Sequence, residues 1–168
     1  MERGIGARVH CDMATKLAPG DPAPDFSGLS TDGTPLSLAQ FRGRKLVLYF
    51  YPKDDTPGCT RQACSLRDYA AEIATKGAAV LGVSTQDPAS HQAFTRKFGL
   101  NFPLLADVDG KVGRAYGTLG GDGIMAKLRT AAGLARRVTF VIDADGRIAH
   151  VIERPDVAHH ADEVLALL

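Results

Sequence analysis

The stretch Leu46-Val-Leu-Tyr-Phe50-Tyr-Pro52-Lys-Asp-Asp-Thr56-Pro-Gly-Cys59-Thr-Arg-Gln-Ala-Cys64 decides the fold class. Leu46 to Phe50 is an unbroken apolar run bounded by charged residues and by Pro52, the pattern of a central strand buried on both faces. From Cys59 the period changes. Ala63, Leu66, Tyr69, Ala70 and Ile73 fall at helical spacing, and Gly77 closes that helix. A buried strand, a tight polar turn and a helix opened by a cysteine therefore follow one another. The first turn of a helix has unpaired N–H groups and the positive end of the dipole, both of which favour a thiolate at Cys59. Pro52 and Pro57 stiffen the turn. Thr56 brings a hydroxyl three residues before the cysteine, and Gly58 permits close approach to the backbone.

Outward from this stretch, strands and helices alternate. Pro19 to Asp25 holds three prolines in seven residues and reads as an extended lead-in. Ser30 to Leu38 reads as a hairpin turning at Asp32-Gly33. Ala79 to Ser84 reads as a second buried strand, followed by a helix with Asp87 as N-cap, Pro88 in its first turn and Gly99 as its stop. Leu104-Leu105 suggests a short strand and Lys111 to Tyr116 one or two helical turns. Helix is expected over 128–135. Val138 to Ile142, a turn at Asp143 to Gly146, and Arg147 to Glu153 form a strand pair, and the chain closes with a helix over 156–168. This order gives an α/β class with a central mixed β-sheet flanked by helices, in one domain over residues 16–168 after a flexible extension over 1–15.

Composition narrows the function. The 168 residues carry 45% hydrophobic and 23% charged side chains, ordinary for a globular domain, with 20 basic and 19 acidic residues and a net charge of +1. There is no basic stripe for nucleic acid, and no apolar run of membrane length. The N-terminus is a poor signal peptide, and three cysteines, Cys11, Cys59 and Cys64, are an odd count. A cytoplasmic location is therefore expected, with cysteines serving redox chemistry and not a disulfide framework. The spacing of His10, Cys11, Cys59 and Cys64 does not match a zinc site, and Gly117 to Gly121 lacks the Lys-Ser/Thr of a phosphate loop. Cys11 reads as incidental, His91 as a packed histidine sharing a face with Phe94 and Phe98, His159-His160 as a solvated face, and Asp54-Asp55 as turn residues.

Five residues separate Cys59 from Cys64. In an ideal helix their Cα atoms would stand roughly 8.6 Å apart, beyond the about 7 Å a disulfide tolerates. If the two pair, the first helical turn has to unwind, which couples conformation to redox state.

The sequence resembles the peroxiredoxins, in particular the bacterioferritin comigratory protein or peroxiredoxin Q group. Pro52-x-x-x-Thr56-x-x-Cys59 matches the active-site signature and Cys64 the subgroup's second cysteine. Gly20-Asp-Pro-Ala-Pro-Asp-Phe26, Gly82-Val-Ser84 with Ser90-His91, Phe102 to Asp107, and Arg137-Val-Thr-Phe-Val-Ile-Asp143 extend the match over residues 16–168. The resemblance implies a thioredoxin-like fold with no metal and no cofactor. It implies a thiol-dependent peroxidase acting on hydrogen peroxide and organic hydroperoxides. Cys59 would be the peroxidatic cysteine, Cys64 the resolving one, and Thr56, Arg137 and Pro52 would complete the site. Arg137 is preferred to Arg136 because it stands two residues before Thr139-Phe140. Thioredoxin or a similar dithiol would be the reductant, and the protein a monomer or weak dimer. The rivals are a thiol–disulfide oxidoreductase, which would want Cys-x-x-Cys, and a redox-switched binding protein. Leu119 to Ala135 does not align with the family pattern, which leaves substrate preference and donor docking open.

Overall fold

A computed structural model describes residues 16–168; the extension expected over 1–15, and Cys11 with it, lie outside the described residues. Seven strands form one sheet in the order β2-β1-β5-β4-β3-β6-β7. They are β1 (Ser27–Ser30), β2 (Pro35–Ser37), β3 (Lys45–Phe50), β4 (Ala78–Ser84), β5 (Leu104–Ala106), β6 (Val138–Ile142) and β7 (Ile148–Ile152). β3, β4 and β5 run parallel, while β6, β7, β1 and β2 pair antiparallel, so the sheet is mixed as expected.

The centre of the sheet explains the apolar run. Leu46, Leu48 and Phe50 point into one core layer with Phe26, Val83, Tyr116 and Phe140. Val47, Tyr49 and Tyr51 point into the other, with Cys59, Ala63, Leu66, Phe94 and Phe102. Period-2 alternation is hidden because helices or loops cover both faces.

The helices follow the sequence with four differences. Helix α1 (Pro57–Asp68) begins two residues before Cys59, because proline at the first helical position loses no hydrogen bond. The expected continuous helix to Ile73 breaks at Tyr69, and α2 (Ala70–Thr75) is a separate short helix. Tyr69 adopts φ −108° and ψ 10°, outside helical geometry. The helix α3 (Pro88–Phe98) is capped as expected, with the Asp87 side chain accepting from the Ser90 amide at 2.8 Å and Gly99 left-handed at φ 60°. The helix α4 (Lys111–Ala115) lies where one or two turns were expected. The helix expected over 128–135 is instead α5 (Ile124–Ala131): it ends ahead of Gly133, whose φ of 69° no helix accommodates. The C-terminal helix α6 (His160–Leu165) is shorter than expected, because Asp156 holds the amide of Ala158 in a turn ahead of it. The hairpin strands occupy 27–37, and Leu38 passes into a 3-10 turn, Leu38–Phe41.

Candidate active site

The site is built where β3 hands over to α1. After Tyr51 the chain turns through Pro52 to Thr56, with Asp55 in the left-handed region at φ 57°. Thr56 is the N-cap residue, with extended backbone, and its carbonyl accepts from the Thr60 amide at 2.8 Å. Its hydroxyl does not cap the helix but donates back to the Lys53 carbonyl at 2.9 Å. The amides of Gly58 and Cys59 are therefore left without intrahelical partners at the positive end of the helix.

Cys59 is 1% exposed. Its sulfur accepts from Nη2 of Arg137 at 3.3 Å, while Nη1 of the same guanidinium donates to Oε1 of Gln62 at 2.6 Å. Sheet register explains the reach. Antiparallel pairing aligns Phe50 with Val138, so Arg137 sits opposite the first residue beyond β3, beside the turn. The fork lies so close to the helix that a Cβ on Gly58 would stand 3.2 Å from Nη2. A guanidinium against sulfur stabilises negative charge there, and its two-pronged geometry fixes its orientation. Arg136 points elsewhere, donating to the Gly117 carbonyl at 3.0 Å and lying 3.8 Å from the Glu153 carboxylate. Neighbouring side chains on a strand edge face opposite ways.

The structure thus brings Arg137 to Cys59 at the helix end that follows Thr56, and Pro52 is half-buried in the turn leading to it. Cys64 lies on the same helix but on another side. Cys59, Gln62, Ala63 and Leu66 form the buried stripe, and Cys64 is half-buried next to it. Both cysteines are free thiols. A cleft of about 470 Å³ lies between Thr31, Asp32, Thr95, Arg96, Phe102 and Pro103; its lining contains no cysteine, so chemistry rather than volume locates the site.

Sequence reasoning missed Gln62 and Tyr49. Gln62 is fully buried, its oxygen tied to Arg137 and its Nε2 without a hydrogen-bond partner. The signal was available: a glutamine three residues after Cys59 lies in an apolar stripe. Tyr49 has a buried hydroxyl with no partner, and burial, with the nearby Cys59 and Asp54, pushes its ionisation well above the ordinary range.

One histidine reading changes and one gains a partner. His91 is packed, as expected, but against a carboxylate: its Nδ1 lies 2.7 Å from Asp54, which is therefore more than a turn residue. His159 is exposed, yet His160 is buried, not solvated, with Nε2 2.9 Å from the Thr139 hydroxyl and Nδ1 2.9 Å from Glu163. A pair of adjacent histidines at a helix start cannot both face water once the first turn docks on the sheet.

Comparison with known proteins shows the family. Residues 19–151 match the profile described as AhpC/TSA family. The chain belongs to that family. This peroxiredoxin is 44% identical to peroxiredoxin Bcp of Escherichia coli (strain K12) over 149 residues, 89% of this chain and 94% of the relative. It is 39% identical to the chloroplastic peroxiredoxin Q of Populus jackii, covering 91% of this chain and 68% of that one. Among solved structures it superimposes on a PrxQ mutant of Xylella fastidiosa with TM-score 0.82 at 29% identity, covering 91% of this chain and 96% of that one. It matches peroxidoxin BcpB of Mycobacterium tuberculosis with TM-score 0.78 at 34% identity, covering 90% and 96%. The fold is the thioredoxin-like one of the peroxiredoxins, and the protein is a peroxidase enzyme of that kind. No helix among the described residues is long and apolar enough to cross a membrane.

Proposed function

We propose that this peroxiredoxin reduces hydrogen peroxide and organic hydroperoxides through Cys59, with Cys64 resolving the product. The observation that carries the reading is the buried Cys59 sulfur at the open end of α1, held by the Arg137 guanidinium. Including organic hydroperoxides is supported by the similar bacterioferritin comigratory protein of Xanthomonas campestris, described for alkyl peroxide reduction, at TM-score 0.75 and 33% identity.

The chemistry is a displacement at oxygen. The Cys59 thiolate attacks the terminal oxygen of the hydroperoxide, the O–O bond breaks, and the leaving alkoxide or hydroxide takes a proton to leave as alcohol or water. Negative charge builds on that leaving oxygen. Arg137 and the free amides of Gly58 and Cys59 are donors placed at the helix end to stabilise it. Thr56 shapes the turn, its hydroxyl on the Lys53 carbonyl, and Pro52 shields the thiolate from water.

The product is Cys59 sulfenic acid. The Cys64 thiolate then attacks the Cys59 sulfur and hydroxide leaves, protonated to water, giving an intramolecular disulfide. Helical spacing keeps the two apart until the first turn of α1 opens. A dithiol donor of the thioredoxin type restores both thiols by exchange, leaving its own disulfide. No metal or cofactor enters this cycle. We place the protein in the cytoplasm as a monomer or weak dimer, since both cysteines of the cycle lie in one chain, and expect neither nucleic acid nor membrane as a partner.

The test is a stopped-flow single turnover of reduced protein with one equivalent of hydrogen peroxide, read by intact mass. Rapid loss of the Cys59 thiol and a mass two hydrogens lighter are expected. Reaction no faster than that of a free thiol would overturn the proposal.

A further inference from the structure

Behind the active-site turn lies a buried polar cluster that the reaction above does not use. The Asp54 side chain is 5% exposed. Its Oδ1 accepts from the Tyr51 hydroxyl at 2.6 Å, and its Oδ2 accepts from the Ser90 hydroxyl at 2.7 Å. The same Oδ2 lies 2.7 Å from Nδ1 of His91, whose ring is fully buried. The Asp54 amide donates to Oε1 of Gln86 at 3.0 Å, and the Ser84 hydroxyl donates to that oxygen at 2.8 Å. The other ring nitrogen of His91, Nε2, lies 3.2 Å from the Leu105 carbonyl.

The Tyr51 hydroxyl also stands 3.5 Å from Nδ1 of His91, so ring, carboxylate and both hydroxyls form one connected polar cluster. Burial pushes the Asp54 carboxyl up. The hydrogen bond and charge of His91, with the bonds from Tyr51 and Ser90, outweigh burial and hold it below the usual carboxylate range.

We propose that the buried His91–Asp54 contact fixes the turn carrying Cys59 onto α3, making His91 a positioning residue for peroxide reduction. This rests on Cys59 being the reacting thiol. Asp54 stands two residues before Thr56, whose carbonyl takes the first hydrogen bond of α1. Holding Asp54 therefore sets where α1 begins and where Cys59 meets Arg137. The neighbouring Asp55–Lys97 pair, at 2.7 Å, also ties the turn to α3, but both its side chains are about half exposed and such pairs contribute little.

The charged and titratable surroundings are few. Tyr49 of β3 and Tyr51 just beyond it face the pair, both kept protonated by burial. Cys59 and Arg137 lie beyond Tyr49. From α3 come the capping Asp87 and Lys97. Past β5, Asp107 is turned away onto the amides of Val112 and Gly113.

The experiment pairs spectroscopy with kinetics on the full chain. In reduced, ¹⁵N-labelled wild-type protein, the His91 ring proton facing Asp54 should be visible and protected from exchange with water. His91→Gln and Asp54→Asn, checked for folding by near-ultraviolet circular dichroism, should each oxidise Cys59 with hydrogen peroxide at least tenfold more slowly, and the double variant should be no slower than the slower single one. A His91 ring with no protected proton overturns the proposal from the wild-type protein alone, even if the variants do not fold. A folded His91→Gln that reacts at the wild-type rate, or a double variant slowed by the product of the two single effects, overturns this role and leaves the Cys59 reading intact. A wild-type Cys59 inert to peroxide overturns both.

Discussion

Replacing Arg137 by methionine removes the guanidinium from Cys59 while keeping a side chain of similar reach. Its size of effect can be worked from the 3.3 Å contact between Nη2 and the sulfur. Two unit charges at that distance with an effective dielectric of about 20 attract by about 5 kcal/mol, which is a ceiling. Arg137 is only half-buried, so solvent screens part of that attraction. The value for a single hydrogen bond to a charged group, about 1.5–3 kcal/mol, is the better guide. With about 1.4 kcal/mol per factor of ten, Arg137→Met should slow Cys59 oxidation roughly 10- to 100-fold. Arg137→Lys should recover part of this, because a point charge cannot bond the sulfur and Gln62 in one fork. The assay is stopped-flow oxidation of the reduced protein under excess hydrogen peroxide, with intact mass confirming that the same thiol reacts. Arg136→Met is the control and should react at the wild-type rate, since Arg136 binds the Gly117 carbonyl instead. If Arg136→Met slows the reaction and Arg137→Met does not, the geometry at the sulfur has been misread.

Three further outcomes are expected. Gly58→Ala puts a methyl group 3.2 Å from Nη2 of Arg137, so the guanidinium must shift and the first turnover should slow several-fold; an unchanged rate would show that the fork has room to spare. Cys64→Ser should keep one fast turnover and stop at the sulfenic acid, trapped by dimedone and visible by mass, whereas an equally slowed first turnover would sink the division of roles. Burial pushes the His160 ring below its ordinary value despite its contact with Glu163. The unfolded chain then binds more protons, so stability falls as pH drops below about 6.5. Urea midpoints at pH 7.5 and 5.5 should show that loss in the wild type and less of it in His160→Gln; equal losses would refute it.

The centre of the fold was legible because burial on both faces writes itself as the uninterrupted run Leu46 to Phe50, and because Asp87, Pro88 and Gly99 mark helix ends locally. The break at Tyr69 was not, since apolar spacing continues across it and only the backbone of one residue departs from helix. The same holds for α5, whose Ile124, Met125 and Leu128 are exposed, so hydrophobic period there does not report a core. Within the site, Pro52, Thr56 and Cys59 lie in one short stretch, readable as a turn and a helix start. Arg137 needed the resemblance, because only the pairing of β3 with β6 brings residue 137 beside the cysteine. Gln62 was missed, and the partners of Asp54 and His91 were not legible, for a common reason: a polar residue in an apolar stripe or a turn does not say which partner satisfies it.

The structure also bounds the segment that must rearrange if Cys59 is to meet Cys64. Upstream, Asp54 is anchored to α3; downstream, Ala63 and Leu66 are packed beneath the helix, and the Ser65 hydroxyl accepts from the Ala161 amide of α6 at 3.0 Å. What lies between is residues 55–62, the turn and the first part of α1. Their Cα separation has to fall only from roughly 8.6 Å to about 7 Å, so opening one turn suffices. The bonds that resist are the Thr60–Thr56 hydrogen bond and the grip of Arg137 on the sulfur. The second of these depends on charge. On the proposed cycle, oxidation turns a thiolate into a neutral sulfenic acid, so the contact that would hold Cys59 in place for attack weakens at the step after which it has to move. The arginine that would favour the reactive form of the sulfur would then also release the oxidised one.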